Sequence, residues 1–140
     1  MNRNIKHATL FSFCLILLFV SCKEDTLPGV ASRDDYLGLW QCNEYDLNQQ
    51  LIATFQIEII AHPSSSDKVL VDNFNQLGQG FQLEGLVNNT SIDFPIQVLS
   101  STTISGNGLI TNDLNTLELE YNVDDGTGQP EAVDADCARL

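Results

Sequence analysis

Residues 35–140 predict an antiparallel all-β domain of about eight strands, closed as an up-and-down barrel or, as runner-up, folded as a β-sandwich. Three observations carry this reading. Apolar and polar residues alternate at period two through most of the segment, as half-buried strands require. Clusters of Gly, Pro, Asn, Asp and Ser recur about every ten residues, the spacing of short strands joined by turns. No stretch after residue 35 carries helical periodicity.

The first strand, 38–45, contains the only Trp. In the second, 51–61, Leu51, Ala53, Phe55, Ile57, Ile59 and Ala61 share one face against Thr54, Gln56 and Glu58. Val69 and Val71 mark the third, 68–74, and Phe81, Leu83 and Val87 the fourth, 80–87. Ile92, Phe94, Ile96 and Val98 line up in the fifth, 90–98, with a bend or bulge at Pro95. The sixth is 101–105. The seventh is 108–111 continued by 114–123, where Leu117, Leu119, Tyr121 and Val123 alternate with Glu118, Glu120 and Asn122. Gly106 and Gly108 fit equally a bulge inside one bent strand. The eighth is 132–139. Turn clusters fall at His62–Asp67, Asn75–Gly80, Asn88-Asn89, Ser105–Gly108 and Asp124–Pro130.

Six Lys and Arg against nineteen Asp and Glu give a formal net charge of −13. No nucleic-acid partner is expected, because a phosphate backbone needs Lys and Arg to displace its counterions. At 43% hydrophobic and 18% charged, the chain is no disordered acidic tail.

Arg3 and Lys6 precede an uncharged apolar run from Ala8 to Val20. As a helix that run spans about 20 Å, short of a hydrocarbon core of about 30 Å. It therefore reads as a secretory signal peptide rather than an uncleaved anchor or a core helix. Phe19-Val20-Ser21-Cys22 resembles the lipobox of bacterial lipoproteins, with a small residue before the Cys and Phe19 where Leu is usual. The resemblance implies removal of residues 1–21, a diacylglycerol on the Cys22 sulfur and a further acyl chain on its amine. Lys23-Glu24-Asp25 resembles the short Lys-acid-acid signal that sends some Gram-negative lipoproteins to the outer face of the outer membrane. It implies a lipid-anchored protein at the cell surface, with the periplasmic face as the alternative. Several acyl chains hold a protein stably to a bilayer. The mature chain would carry four cations against nineteen acids, a charge of −15. Residues 22–34 then form the lipidated Cys and a flexible linker with Pro28 and Gly29.

Cys14 leaves with the signal peptide and Cys22 takes lipid, so Cys42 and Cys137 remain. Disulfides persist in exported proteins, and these two, in the first and last strands, are expected to pair. An antiparallel ladder with Cys42 opposite Cys137 also sets Trp40 opposite Arg139, a guanidinium over an indole. Gly38-Leu39-Trp40 resembles the Gly-x-Trp motif of lipocalins and related calycin barrels. In those proteins a late Arg or Lys packs across the Trp and closes the barrel base, a role that falls to Arg139. The chain is similar to the small lipocalin-like lipoproteins of Gram-negative bacteria, and it lacks the helix that usually flanks the last lipocalin strand.

No catalytic residue is expected. His62 is the one histidine that survives processing, and it precedes Pro63 in a Ser-rich turn. It reads as a solvent-exposed loop residue, lacking the nucleophile and orienting acid of a hydrolytic triad. Histidines and cysteines are too few for zinc. Asp124, Asp125, Glu131, Asp134 and Asp136 cluster late in the chain. Counting back from Gly126 or Gly128 does not put acids at the first and third positions of a calcium loop, so the cluster reads as a solvated acidic turn, with a loose, weak calcium site over 124–136 as the alternative. A glycosidase would need two carboxylates across a cleft; no spacing singles out such a pair, and Glu118 and Glu120 share a polar strand face that reads as charged surface. No cofactor fingerprint is present. The expected function is a non-catalytic, membrane-anchored binding module. It would take a small apolar or amphipathic molecule in the barrel mouth, or an envelope protein at a sheet edge. The alternative is an accessory subunit of an outer-membrane assembly with its core filled by side chains, and a carboxylate-based glycoside hydrolase ranks third.

Overall fold

The computed structural model describes residues 30–140. The signal segment, Cys22 and Lys23-Glu24-Asp25 lie outside the described residues. Eight antiparallel strands follow one another in sequence order and close into a barrel. They are β1 (Gly38–Tyr45), β2 (Leu51–Ala61), β3 (Lys68–Asp72), β4 (Gln82–Asn88), β5 (Ser91–Leu99), β6 (Thr102–Ile110), β7 (Thr116–Asp124) and β8 (Glu131–Arg139). Two 3₁₀ turns, Arg33–Tyr36 and Phe74–Gln76, complete the fold, and there is no α-helix among the described residues. The body starts earlier than Asp35, because Ala31 is already buried and the first 3₁₀ turn begins at Arg33.

Closure comes from β1 pairing with both β2 and β8. In the β1–β8 ladder Trp40 faces Arg139 and Cys42 faces Cys137. The two cysteines form a disulfide across a sequence separation of 95 residues. The inward residues make one continuous core that includes Trp40, Ile57, Val71, Leu83, Ile92 and Leu117. Among the described residues, every strand, the core and the disulfide fall within residues 31–140, a single core within one closed sheet.

Four sequence expectations are corrected. Ile96 and Val98 do not continue the inward face of Ile92 and Phe94, being 77% and 66% exposed. The ladder shifts register between Phe94 and Gln97, and one extra residue turns every later side chain to the other face. The β4–β5 ladder stops at Leu86 and Asp93. Beyond it the Gln97 side chain stands in for a strand: its Nε2 donates to the Glu84 carbonyl at 2.7 Å and its Oε1 accepts from the Glu84 N–H at 2.9 Å.

Ser105–Gly108 is not a turn but the middle of β6, and the turn before β7 lies at residues 111–115. Gly106 is there for close approach, since a Cβ on it would sit 2.5 Å from the Tyr121 Cβ. β3 ends at Asp72, and Phe74 belongs to the loop that follows it. Phe81 is 40% exposed outside β4, and Leu51 and Ala61 are exposed at the ends of β2. Alternation at a strand end outlasts the part of the strand that is covered.

Closing so long a loop constrains the unfolded chain. Reducing the Cys42–Cys137 bond is expected to lower unfolding free energy by about 2–5 kcal/mol. Urea titrations with and without reductant check this, and coincident midpoints would contradict it.

Candidate functional site

The barrel has two unlike ends. The base is built from the first 3₁₀ turn, the chain end and the turns β2–β3, β4–β5 and β6–β7. The Arg139 guanidinium lies 4.3 Å from the Trp40 ring centroid. Its Nε donates to the Leu114 carbonyl at 2.9 Å and its Nη1 to the Leu37 carbonyl at 2.8 Å, while Nη2 donates to the Asp35 carbonyl. Trp40 Nε1 donates to the Tyr36 carbonyl at 2.9 Å, and the Tyr36 hydroxyl donates to the Asn89 carbonyl at 3.1 Å. Gly38 has φ +125, and an added Cβ would stand 3.6 Å from Arg139 Nη1. The added Cβ would make an ordinary contact there, so it is the positive φ that favours glycine. Burial drives the Tyr36 hydroxyl far above its ordinary pKa. The polar atoms named here are all paired, and Trp40 is wholly buried. Over Trp40 this end is sealed, and the concavity it carries, about 340 Å³ between Thr90, Ile110 and Thr111, lies to the side of that seal.

The mouth is built from the turns β1–β2, β5–β6 and β7–β8 and from the β3–β4 loop. That loop folds inward. Phe74, 2% exposed, packs 5.3 Å from the Phe94 ring and 4.8 Å from the Tyr121 ring. Beneath it, on the inward face of β1, is Glu44. Glu44 and Thr102 are the two buried polar residues among the described residues, and Glu44, at 5% exposure, is the ionisable one. The Tyr121 hydroxyl and the Gln76 amide are its polar neighbours. Oε2 of Glu44 is nevertheless buried with no hydrogen-bond partner. The Tyr121 hydroxyl also lies 3.4 Å from Asn75 Oδ1. Burial raises the Glu44 carboxyl above its ordinary value, and its contacts with Tyr121 and Gln76 lower it in part. Burial likewise raises Tyr121, and the nearby Glu44 adds to the effect.

The loop over Glu44 holds an unusual backbone. Asn73, Asn75 and Gln76 have φ of 59°, 49° and 60°, each costing about 1 kcal/mol or more outside glycine. Asn73 pins its start: Nδ2 donates to the Gln56 carbonyl at 2.7 Å and Oδ1 accepts from the Gly78 N–H at 3.0 Å. Beside the mouth, a groove of about 450 Å³ runs between the β1–β2 turn and the start of β8. Leu47, Ile52, Pro130 and Val133 give it apolar walls, and Asp46 and Glu131 give it acidic ones. Val133 is the cross-strand partner of Tyr121.

His62 is less exposed than a loop residue should be, with its side chain at 19%. Its Nδ1 accepts from the Ser64 N–H at 3.2 Å, and its Nε2 lies 3.4 Å from Glu84, which Lys68 also pairs at 2.7 Å. This is a surface ion cluster on β2–β4, well removed from the mouth. Asp124 accepts from the N–H groups of Gly126 and Gly128, and Asp125 from that of Thr127, so both shape the β7–β8 turn. Asp134 accepts from Gln49. Glu118 and Glu120 are exposed on β7 and Asp136 on β8. Among the described residues no three His, Cys, Asp or Glu side chains gather as a metal site would need.

Glu44 is the residue that sequence reading missed. Its signal was parity: Trp40, Cys42 and Glu44 fall on one face of β1, and the Cys42 pairing fixes that face as inward. No family model matches the chain, and no curated protein matches it.

Glu44 binds its proton more tightly folded than unfolded. The stability this group contributes is therefore present below its ordinary value of 4.5 and is lost as pH rises through the folded value. Glu44→Gln is expected to stabilise the protein by about 1–3 kcal/mol at pH 7, the gain shrinking toward zero below pH 4.5. Chemical denaturation across that range checks it, and a loss of stability at pH 7 would contradict it. At the base, Arg139→Lys cannot reach three carbonyls from one ammonium group. We expect a loss of about 2 kcal/mol, read by the same titration.

Proposed function

We propose that the protein is a lipid-anchored lipoprotein of the outer membrane, exposed at the cell surface. Its barrel would bind a small apolar or amphipathic molecule without covalent chemistry. The lipobox-like Phe19-Val20-Ser21-Cys22 and the Lys23-Glu24-Asp25 that follows support the anchor and the surface address. The all-β closed barrel and the Gly38, Trp40 and Arg139 base support a lipocalin-like relationship. Binding rests on one observation: a buried carboxylate with an unpartnered oxygen lies at the mouth, beneath a loop rather than beneath a strand. Buried polar atoms left unpaired reduce stability, and a bound donor would remove that penalty.

A second reading, an accessory subunit of an envelope assembly, draws support from the side chains that fill the interior.

The anchor is tested by mass spectrometry of the N-terminal peptide extracted from membranes. The expected peptide begins at Cys22 and carries diacylglycerol plus a further acyl chain. An unmodified peptide, or one that retains residues before Cys22, contradicts it. Binding is tested by saturable uptake of an environment-sensitive lipophilic dye. Trp40 lies at the sealed base and reports folding, so the dye supplies the signal. Absence of saturable uptake, together with a partner retained through mild detergent extraction, would favour the accessory-subunit reading.

A further inference from the structure

The cations of the barrel gather at one end, while acids lie at both, Asp34, Asp35, Asp67 and Asp113 among them at the base. Arg33, Lys68 and Arg139 are the cationic side chains among the described residues, and all three belong to the base. Arg33 donates to the Ser65 carbonyl in the β2–β3 turn, Lys68 opens β3 beside that turn, and Arg139 covers Trp40. The mouth carries acids alone among its charged groups: Asp46 on the β1–β2 turn, Asp124 and Asp125 at the β7–β8 turn, Glu131 and Asp134 on β8, and Glu44 inside. A negative field over a concave opening attracts cations and repels carboxylates. An acidic rim alone would be an ordinary solvated surface. The second observation is independent of it: Glu44 is 5% exposed and its Oε2 is buried with no hydrogen-bond partner, on β1 opposite Ala135, two residues along β8 from the groove-lining Val133.

We propose that the mouth takes an amphiphilic amine, its apolar body along Leu47, Ile52 and Val133 and its protonated amine donating to Oε2 of Glu44, with Phe74–Leu77 lifted aside as a lid. This rests on the binding reading above and adds the class of ligand. The groove volume of about 450 Å³ lies within the usual range for small-molecule sites, about 300–1,000 Å³. Charge-assisted hydrogen bonds are about twice as strong as neutral ones, so an amine gains more from Glu44 than an alcohol of equal length. A fatty acid meets the same field with the wrong sign. A divalent cation would find a single buried carboxylate, far short of the six to eight oxygens that calcium takes. The lid's left-handed residues, Asn75 and Gln76, lie between the Asn73 anchor and Gly78. Releasing them relieves backbone strain as the ligand enters.

The test uses the chain from Lys23 to Leu140, produced without the acyl anchor, titrated at pH 7 with n-octylamine, n-octanol and n-octanoate. Backbone amide NMR reads both affinity and location. The expected result is octylamine binding about tenfold or more tighter than octanol, with octanoate weakest and with shifts centred on Phe74–Leu77 and Tyr121. Glu44→Gln should bring octylamine to within about threefold of octanol and leave octanol unchanged. Equal binding of all three by the unsubstituted protein overturns the amine assignment while leaving a binding module in place. Saturable binding of none overturns the assignment together with the small-molecule reading. The comparison among ligands on the unsubstituted protein decides the matter even if Glu44→Gln misfolds.

Discussion

The pairing of β1 with β8 is the constraint on which the rest of the structure depends. Without it the sheet has two long edges of unpaired backbone groups, and the inward side chains face water. With it, six residue pairs from Trp40–Arg139 to Tyr45–Asp134 join the ends of the chain. Two devices strengthen this one ladder. The disulfide ties its middle, and Arg139 ties its base end to Asp35, Leu37 and Leu114. Closure also creates the candidate site, because Glu44 is inward and desolvated only while β8 lies beside β1.

The two ends resolve the same problem differently. Each must cover core residues with polar backbone and side chains. At the base the named donors and acceptors are matched, and the cations are gathered there. At the mouth the covering segment is a loop with three left-handed non-glycine residues, set over a carboxylate with an unpartnered oxygen. Single left-handed non-glycine residues also occur at Gln49, Asn89, Ser100 and Leu114 in other turns; what sets the mouth apart is that three of them crowd into one loop beside the buried, unpartnered oxygen of Glu44. The described chain enters through the first 3₁₀ turn at the base, so the proposed tether would lie at the end opposite the proposed ligand.

Much of the fold was legible because strand parity is binary. Leu117, Leu119 and Tyr121 alternate with acids and are buried as a set, and the Cys42–Cys137 pairing specified register as well as topology. The reading failed where one residue breaks parity. Pro95 announced a bulge, but the inward face was still extended through Ile96 and Val98, which the bulge turns outward. Gly106 and Gly108 looked like turn residues because a glycine needed for close packing is identical, in sequence, to one needed for a turn. Phe74 was assigned to a strand, since nothing local distinguishes an inward loop aromatic from an inward strand aromatic. The base of the barrel was visible as Gly38, Trp40 and Arg139. The mouth was not, because its central feature is one Glu among many, and only its face on β1 singles it out.

Amide hydrogen exchange of β1 and β8 tests the closed barrel most directly. If the two strands are zipped as described, the bonded amides of Trp40–Glu44 and Ala135–Arg139 exchange as slowly as those of β6 and β7, opening only with global unfolding. Fast exchange confined to β1 and β8, with β2–β7 still protected, would mean an open sheet. Glu44 would then be an ordinary solvated carboxylate.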